Sequence, residues 1–274
     1  MKIIFTLMAV IGLSVSSFAQ TVAVSSDSFA SDTTVGKPAK KSSKWFDYSR
    51  NIVKVNLTSL ALNNYAVSYE RLVGRKISVI GSFRYMPKTK ITSTMLGKTI
   101  LDIADEDGKD IEALATSNTA ITAGVRFYTG SRAGAKGIYA ELYGRYGNFK
   151  LDYDYSFRSN GKDYRMLIHG NANGFGGGLL IGGQFTVAKN LFIDIYIVGA
   201  HYGKTTGNID GISDLRSMTP AERKDMQDDI NDIAGDIVSK DFIKAEVNEN
   251  GVKGKLNGPF IGARALGITI GWGF

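Results

Sequence analysis

Residues 267-GITIGWGF-274 close the chain. Ile268, Ile270, Trp272 and Phe274 alternate with Gly267, Thr269, Gly271 and Gly273, the period of two of a β-strand with one apolar face. Neither a turn nor a charged tail follows. A strand that stops in mid-pattern on an aromatic residue needs a partner for its backbone groups and a setting for its rings. Both must come from elsewhere in the chain.

The amino end narrows the setting. Lys2 precedes an apolar run from Ile3 to Val15, which closes on Ser17-Phe18-Ala19 before Gln20. This is the pattern of a secretory signal peptide over residues 1–19, cleaved after Ala19, and its 13-residue apolar run is too short to span a bilayer. With Gln at position 20 and no cysteine in the chain, a lipid anchor on a new amino-terminal Cys is excluded. After cleavage 32 Lys+Arg face 26 Asp+Glu, and Lys37, Lys40, Lys41 and Lys44 carry much of the excess locally. Export and a local basic cluster both argue against nucleic acid as a partner.

Past the leader no apolar run reaches 18 residues, so a helical membrane protein is ruled out. Two classes remain: an exported globular β-domain, or a transmembrane β-barrel written in segments of roughly 10 alternating residues. Residues 20–44, mostly Ser, Thr, Asp, Ala and Lys, are too poor in large apolar groups to fold and are expected to form a flexible periplasmic lead-in. Structure is announced by Trp45, Phe46 and Tyr48, and the barrel unit is expected over 45–274.

Eight alternating segments follow. Strand 51–60 sets Val53, Val55 and Leu57 against Lys54, Asn56 and Thr58; strand 66–72 sets Val67, Tyr69 and Arg71 against Ser68 and Glu70. Strand 76–85 carries Ile77, Val79, Phe83 and Tyr85 on one face, and strand 118–128 carries Ile121, Val125 and Phe127 opposite Thr122 and Arg126. In 137–147, Ile138, Leu142 and Tyr146 oppose Tyr139, Glu141, Tyr143 and Arg145. Segment 174–187 opposes Phe175, Leu179, Ile181 and Phe185 to Gly176, Gly178, Gly182 and Gln184. Segment 191–201 opposes four apolar residues to Asp194 and Tyr196, and 260–274 closes the set.

Connector lengths sort by side. Those at 73–75, 129–136 and 188–190 have 3, 8 and 3 residues, whereas those at 61–65, 86–117, 148–173 and 202–259 have 5, 32, 26 and 58. Short turns on one side, long loops on the other and an even strand count are the asymmetry of outer-membrane barrels. The expected fold is therefore all-β: an eight-stranded antiparallel transmembrane β-barrel in a Gram-negative outer membrane. In that setting the last strand pairs with the first, leaving no open edge in lipid. Trp272 and Phe274 then face outward at the interfacial girdle, and the terminal Phe with its alternating apolar residues resembles the assembly signal read by the barrel insertion machinery.

The segment 51-NIVKVNLTSLALNNYAVSYERLVGRKISVIGSFRY-85, with Tyr69-Glu70-Arg71 inside one strand and Phe83-Arg84-Tyr85 closing the next, resembles the opening of a family of small exported barrels of unknown function, akin in architecture to OmpA and OmpX. The likeness covers roughly residues 45–274. It implies the fold and no particular chemistry.

Chemistry must then reside in the inward faces and the loops. Parity places Glu70, Arg126, Glu141 and Asp194 in the periplasmic half of the interior and Arg84 and Arg145 in the upper half. An eight-stranded interior is wide enough only to be filled by side chains, and buried charges left unpaired would cost several kcal/mol each. These residues are therefore expected to pair with one another and with Tyr139, Tyr143 and Tyr196 as a polar plug; a proton path or gated pore is the functional alternative. Arg264 shares parity with the outward face and is expected to snorkel to the outer rim.

Four further features bear on function. His201 at the extracellular rim and His169 in the third long loop, with Ser156 or Ser159, raise the alternative of a membrane-embedded lipid hydrolase, but nothing in their spacing demands a base beside a nucleophile. The run 105-DEDGKD-110 has the carboxylate density of a calcium loop, yet Thr116 stands where the twelfth-position Glu would be, so it is expected to be a solvated acidic loop with no metal. The glycine run 174–183 lacks a Gly-Lys-Ser/Thr ending and lies in a strand, where small residues make room for packed side chains. Finally, Thr219-Pro220-Ala221-Glu222 reads as a capping box with Pro at the first helical position. Met226, Ile230, Ile233 and Ile237 then form one apolar stripe of a helix reaching about residue 240, either packing on the barrel's own loops or docking a partner.

The sequence thus reads as a non-catalytic outer-membrane protein in contact with outer-membrane lipid, with a structural role or an extracellular protein or glycan partner, and with no cofactor.

Overall fold

The computed structural model describes residues 48–61, 63–90, 114–130, 133–159, 161–232 and 242–274. The leader, the lead-in, the acidic run 105–110, Ile233 and Ile237 lie outside them. Ten strands and two helices follow in chain order: β1 (Asn51–Asn56), α1 (Leu57–Ala61), β2 (Tyr65–Leu72), β3 (Ile77–Lys90), β4 (Leu114–Tyr128), β5 (Gly137–Ser159), β6 (Lys162–Ala188), β7 (Leu191–Ile212), α2 (Pro220–Asp232), β8 (Ile243–Asn248), β9 (Gly251–Pro259) and β10 (Gly262–Gly273).

Neighbours from β1 to β7 pair antiparallel in order, and β10 pairs with both β7 and β1, so the sheet closes into a ring. At the seam Val53 faces Trp272 and Val55 faces Ile270. The amide of Phe274 donates to the Asn51 carbonyl at 2.8 Å and the Asn51 amide donates back to Phe274 at 3.1 Å. The edge groups of the last strand are thereby satisfied by the first, which is the partner that the terminal alternation requires.

Strand pleating sorts the side chains by face. On β5, Tyr139, Glu141, Tyr143 and Arg145 are buried inside the ring while Ile138 and Leu142 are 59% and 58% exposed outside it. The same inversion recurs on the other ring strands, with Lys54, Glu70, Arg126 and Asp194 buried and Val53, Val79, Phe127 and Ile268 exposed. Polar groups inside and apolar groups outside reverse the usual order of a water-soluble domain.

Several expectations need correction. Among the described residues the sheet has ten strands and not eight, because the connector after β7 carries the hairpin β8–β9, whose second strand pairs with the upper part of β7. The first strand stops at Asn56 instead of 60, since the Asn56 side chain accepts the Ser59 amide at 2.8 Å and caps the short α1. Residues 148–173 are not a loop: β5 and β6 continue paired as far as Ser159 and Lys162. The Asn-Gly between them in the sequence is the commonest signal of a two-residue hairpin connection. The alternation continues there, with Phe149, Leu151 and Tyr153 against Lys150, Asp152 and Asp154, and Tyr164, Met166 and Ile168 against Asp163, Arg165 and His169, so the extension was written in the sequence.

A register irregularity also changes which residues enter the ring. Between β6 and β7 the pairing shifts at Ile181/Gly182, and Ile197 and Val198 are both exposed, at 56% and 54%. The pleat slips by one residue, so Gly199 and His201 turn inward. Opposite Gly199 on β10 sits Arg264, half-buried over inward-facing aromatic rings rather than snorkelling outward.

Candidate functional site

The ring interior is layered from the short-turn end upward. At that lower end Ile52, Leu72, Tyr128, Ala135, Tyr139 and Phe192 form an apolar floor with Tyr48 against it. The turn before β5 folds inward: Ala135 is 3% exposed and its carbonyl accepts a 2.7 Å hydrogen bond from the Gln184 amide.

Directly above lies an ion network. The Lys54 ammonium donates to Asp194 at 2.7 Å and contacts Glu70 and the Gln184 carbonyl oxygen closely. The Arg126 guanidinium donates through Nε to Glu141 at 2.7 Å and through Nη1 to Asp194 at 2.5 Å, with Glu70 at 3.5 Å. Tyr128 donates to Glu70 at 2.5 Å and Tyr139 to Asp194 at 2.7 Å; Ser78 donates to Glu70 as well. The Arg126 guanidinium also lies 4.1 Å above the Tyr139 ring centre. Two cations thus share three carboxylates, and Ser78, Tyr128 and Tyr139 add hydrogen bonds to Glu70 and Asp194. A buried charge network is sustainable only in that condition.

The next layer is different. Arg84 from β3, Arg145 from β5 and Arg264 from β10 line a cavity with Asn56, Ser59 and Ser82, above a floor that includes Arg126, Glu141 and Asp194. Arg264 stacks over Tyr143 at 5.4 Å and Tyr196 at 5.0 Å. The expected mixing of interior charges therefore holds only below: every interior carboxylate described sits in the ion network, and the upper layer is purely cationic.

Above the arginines, His201 is buried, 4.6 Å from the Phe260 ring and 3.3 Å through Nδ1 from the Tyr143 hydroxyl. It is an interior residue, not the rim residue that its place at a strand end suggests. The glycines of β6 admit this packing: a Cβ on Gly174 would enter the Phe260 ring, and one on Gly182 would lie 2.6 Å from the Tyr139 ring. His169 is remote from it, beside Asp152 in the upper hairpin. Ser156 pairs with Arg165, four residues from His169 along β6 and so roughly 13 Å away. Among the described residues no histidine meets a serine, and the hydrolase arrangement is not assembled.

The upper strands end in a cap with its own core of Tyr164, Met166, Leu215, Met218, Phe242, Ile243, Val252 and Leu256. The capping box closes on α2, Thr219 donating its amide to Glu222 at 2.8 Å and accepting the Glu222 amide at 3.3 Å. Met226 and Ile230 pack against the cap core. On the same helix, Asn231 accepts the Ala245 amide at 2.7 Å and Gln227 the Val247 amide at 3.1 Å. Helix α2 thereby covers the free edge of β8, satisfying donors that an open edge strand would leave exposed. In the hairpin above the ring, burial alone would raise the Asp152 carboxyl, but Lys88 at 2.9 Å and His169 outweigh it and hold the group below its ordinary value. Hydrogen bonds from Arg216 hold Asp214 well below the carboxylate range.

Parity alone separates most interior residues from exterior ones, but it overlooks the part played by Lys54, which it places on the inward face of strand one, and it misplaces Arg264. The first was detectable as a charge on the inward face; the second depends on a pleat slip that no periodicity reveals.

No protein-family model and no curated protein matches the chain. Among solved structures it is similar to Acinetobacter baumannii CarO, at 12% identity over 82% of this chain and 98% of that one, with a TM-score of 0.36. The specific kinship with OmpA- and OmpX-like barrels implied by residues 51–85 is therefore not shown. The chain is predominantly β, with an antiparallel sheet that closes in a ring.

Proposed function

We propose that this protein is an eight-stranded outer-membrane β-barrel, exported and cleaved after Ala19, whose interior is closed by its own side chains and which acts without catalysis as an anchor for a folded extracellular cap. One observation carries this reading: the inversion of polarity around the closed ring, with ion pairs inside and apolar side chains outside on its strands. In lipid, a closed ring is the only β-architecture that satisfies every backbone group. Strands β1 to β7 and β10 supply the eight staves, a number whose interior is filled by side chains rather than by a channel.

The partner-facing element is the cap. Met226 and Ile230 of its helix are engaged against the cap core, so a protein or glycan partner meets the polar outer face and the tips of the β5–β6 and β8–β9 hairpins. The test is topology in intact cells. An epitope inserted at 160–161 is expected to be labelled from outside, one at 189–190 only after the envelope is opened, and the purified protein should migrate faster in detergent gels before heating than after. Recovery from the soluble fraction, or labelling of 189–190 in intact cells, would refute the reading. Steady single-channel conductance in planar bilayers would refute the closed interior.

A further inference from the structure

We propose that the cavity lined by Arg84, Arg145 and Arg264 is a binding site for a doubly charged tetrahedral oxyanion, phosphate in chemical class, taken either free or as the terminal group of a small phosphomonoester. The site is built from three ring strands whose arginines converge on one cavity. Among the described residues none of the three arginines has a carboxylate within 4.0 Å, whereas Lys54 and Arg126 below have five such contacts between them. The nearest acids, Glu141 and Asp194, are already held by those two cations.

Arg84 is the telling member. Its Nε is buried without a hydrogen-bond partner, and its Nη2 reaches only Asn118, at 3.5 Å. Arg145 is 5% exposed, and each of its two arginine neighbours acts on it as a like charge. Arg264 is held from beneath by two tyrosine faces. Among the described interior residues, Lys54, Arg84, Arg126, Arg145 and Arg264 face Glu70, Glu141 and Asp194, an excess of two positive charges.

Like charges gathered in a low-dielectric interior with unused donors are costly unless an anion joins them. A guanidinium presents a planar fork of N–H donors that matches phosphate oxygens two at a time. Three forks plus the hydroxyls of Ser59 and Ser82 offer donors to all four oxygens of a tetrahedral ion, and its two charges equal the excess.

The experiment uses the mature full-length protein folded in a zwitterionic detergent. Titration calorimetry compares inorganic phosphate, glycerol 3-phosphate and chloride at equal ionic strength. Melting is followed in parallel for the native protein, Arg145→Gln and Arg264→Gln. Saturable binding of phosphate or the monoester but not chloride is expected, and the tighter of the two identifies the source. A hundredfold excess over Kd should raise the native melting temperature on the order of 5 °C. Without phosphate each Gln variant should melt at or above the native protein, because a like-charge contact is removed; with phosphate the order should reverse. A native protein that binds neither probe, or responds to chloride equally, overturns the proposal. So do variants that respond to phosphate as the native protein does. If a variant fails to fold, the native titration decides alone.

Discussion

Replacing Arg126 by Met tests the interior ion network most directly. The guanidinium is 5% exposed and reaches Glu141, Asp194 and Glu70, whose side chains are 3%, 3% and 0% exposed. Without it three carboxylates keep Lys54 as their only cation, and Glu141 keeps no ion-pair partner at all. Stranding a buried charge in this way costs about 3–5 kcal/mol, far more than the net worth of an intact pair. Methionine fills much of the lost volume, so the loss is expected to be electrostatic rather than steric. The double variant Arg126→Met/Glu141→Gln restores the charge balance among Lys54, Glu70 and Asp194 and should recover most of the deficit, giving a coupling of about 2 kcal/mol in a double-mutant cycle. The assay is reversible urea unfolding of the detergent-folded protein, followed by tryptophan fluorescence and by gel mobility without heating. A single variant within about 0.5 kcal/mol of the native protein would refute the reasoning, as would a double variant less stable than the single.

Three other outcomes are expected. Gly176→Ala places a Cβ 2.6 Å from the Tyr202 carbonyl oxygen and 3.1 Å from the Gly203 Cα, so β7 must move; a loss of about 3 kcal/mol is expected in the same unfolding assay, against less than about 0.5 kcal/mol for Gly81→Ala, whose Cβ meets nothing within 4 Å. Met166→Ala empties the cap core at a residue that is 0% exposed and should cost about 2–5 kcal/mol locally. Limited proteolysis should then cut near α2 while the ring keeps its unheated gel mobility. Deleting Phe274 removes the backbone hydrogen bonds to Asn51 and a ring 62% exposed on the outer face; on the proposed outer-membrane reading, fractionation should show normal export with reduced membrane insertion, and equal membrane levels would count against the closing-seam reading.

Alternation at period two is a local property, and it is why the ring was legible in the sequence. Apart from the upper ends of β7 and β10, the side of each ring strand that meets the interior could be read from neighbouring residues alone, because the pleat sends successive side chains to opposite faces. Glu70, Arg126, Glu141 and Asp194 were identifiable as one interior group for that reason, and the capping box at Thr219 because four consecutive residues suffice to write it. The partnership between the first and last strands was inferable too, since an edge left open in lipid is not sustainable.

What only the tertiary structure decided are the features in which distant segments choose between locally equal options. Residues 149–158 alternate apolar and polar as a strand does, but only the ladder between β5 and β6 shows that both strands continue beyond the ring instead of ending at it. The apolar stripe of the helix reads the same whether it meets a partner or its own cap; only the fold shows that its first two members, Met226 and Ile230, pack against the cap core. Arg264 and His201 face inward because one extra residue at Ile197 lets the pleat slip between β6 and β7, a displacement fixed by pairing and not by composition. That slip places a third arginine beside Arg84 and Arg145, and with it the cationic cavity, which no single strand encodes.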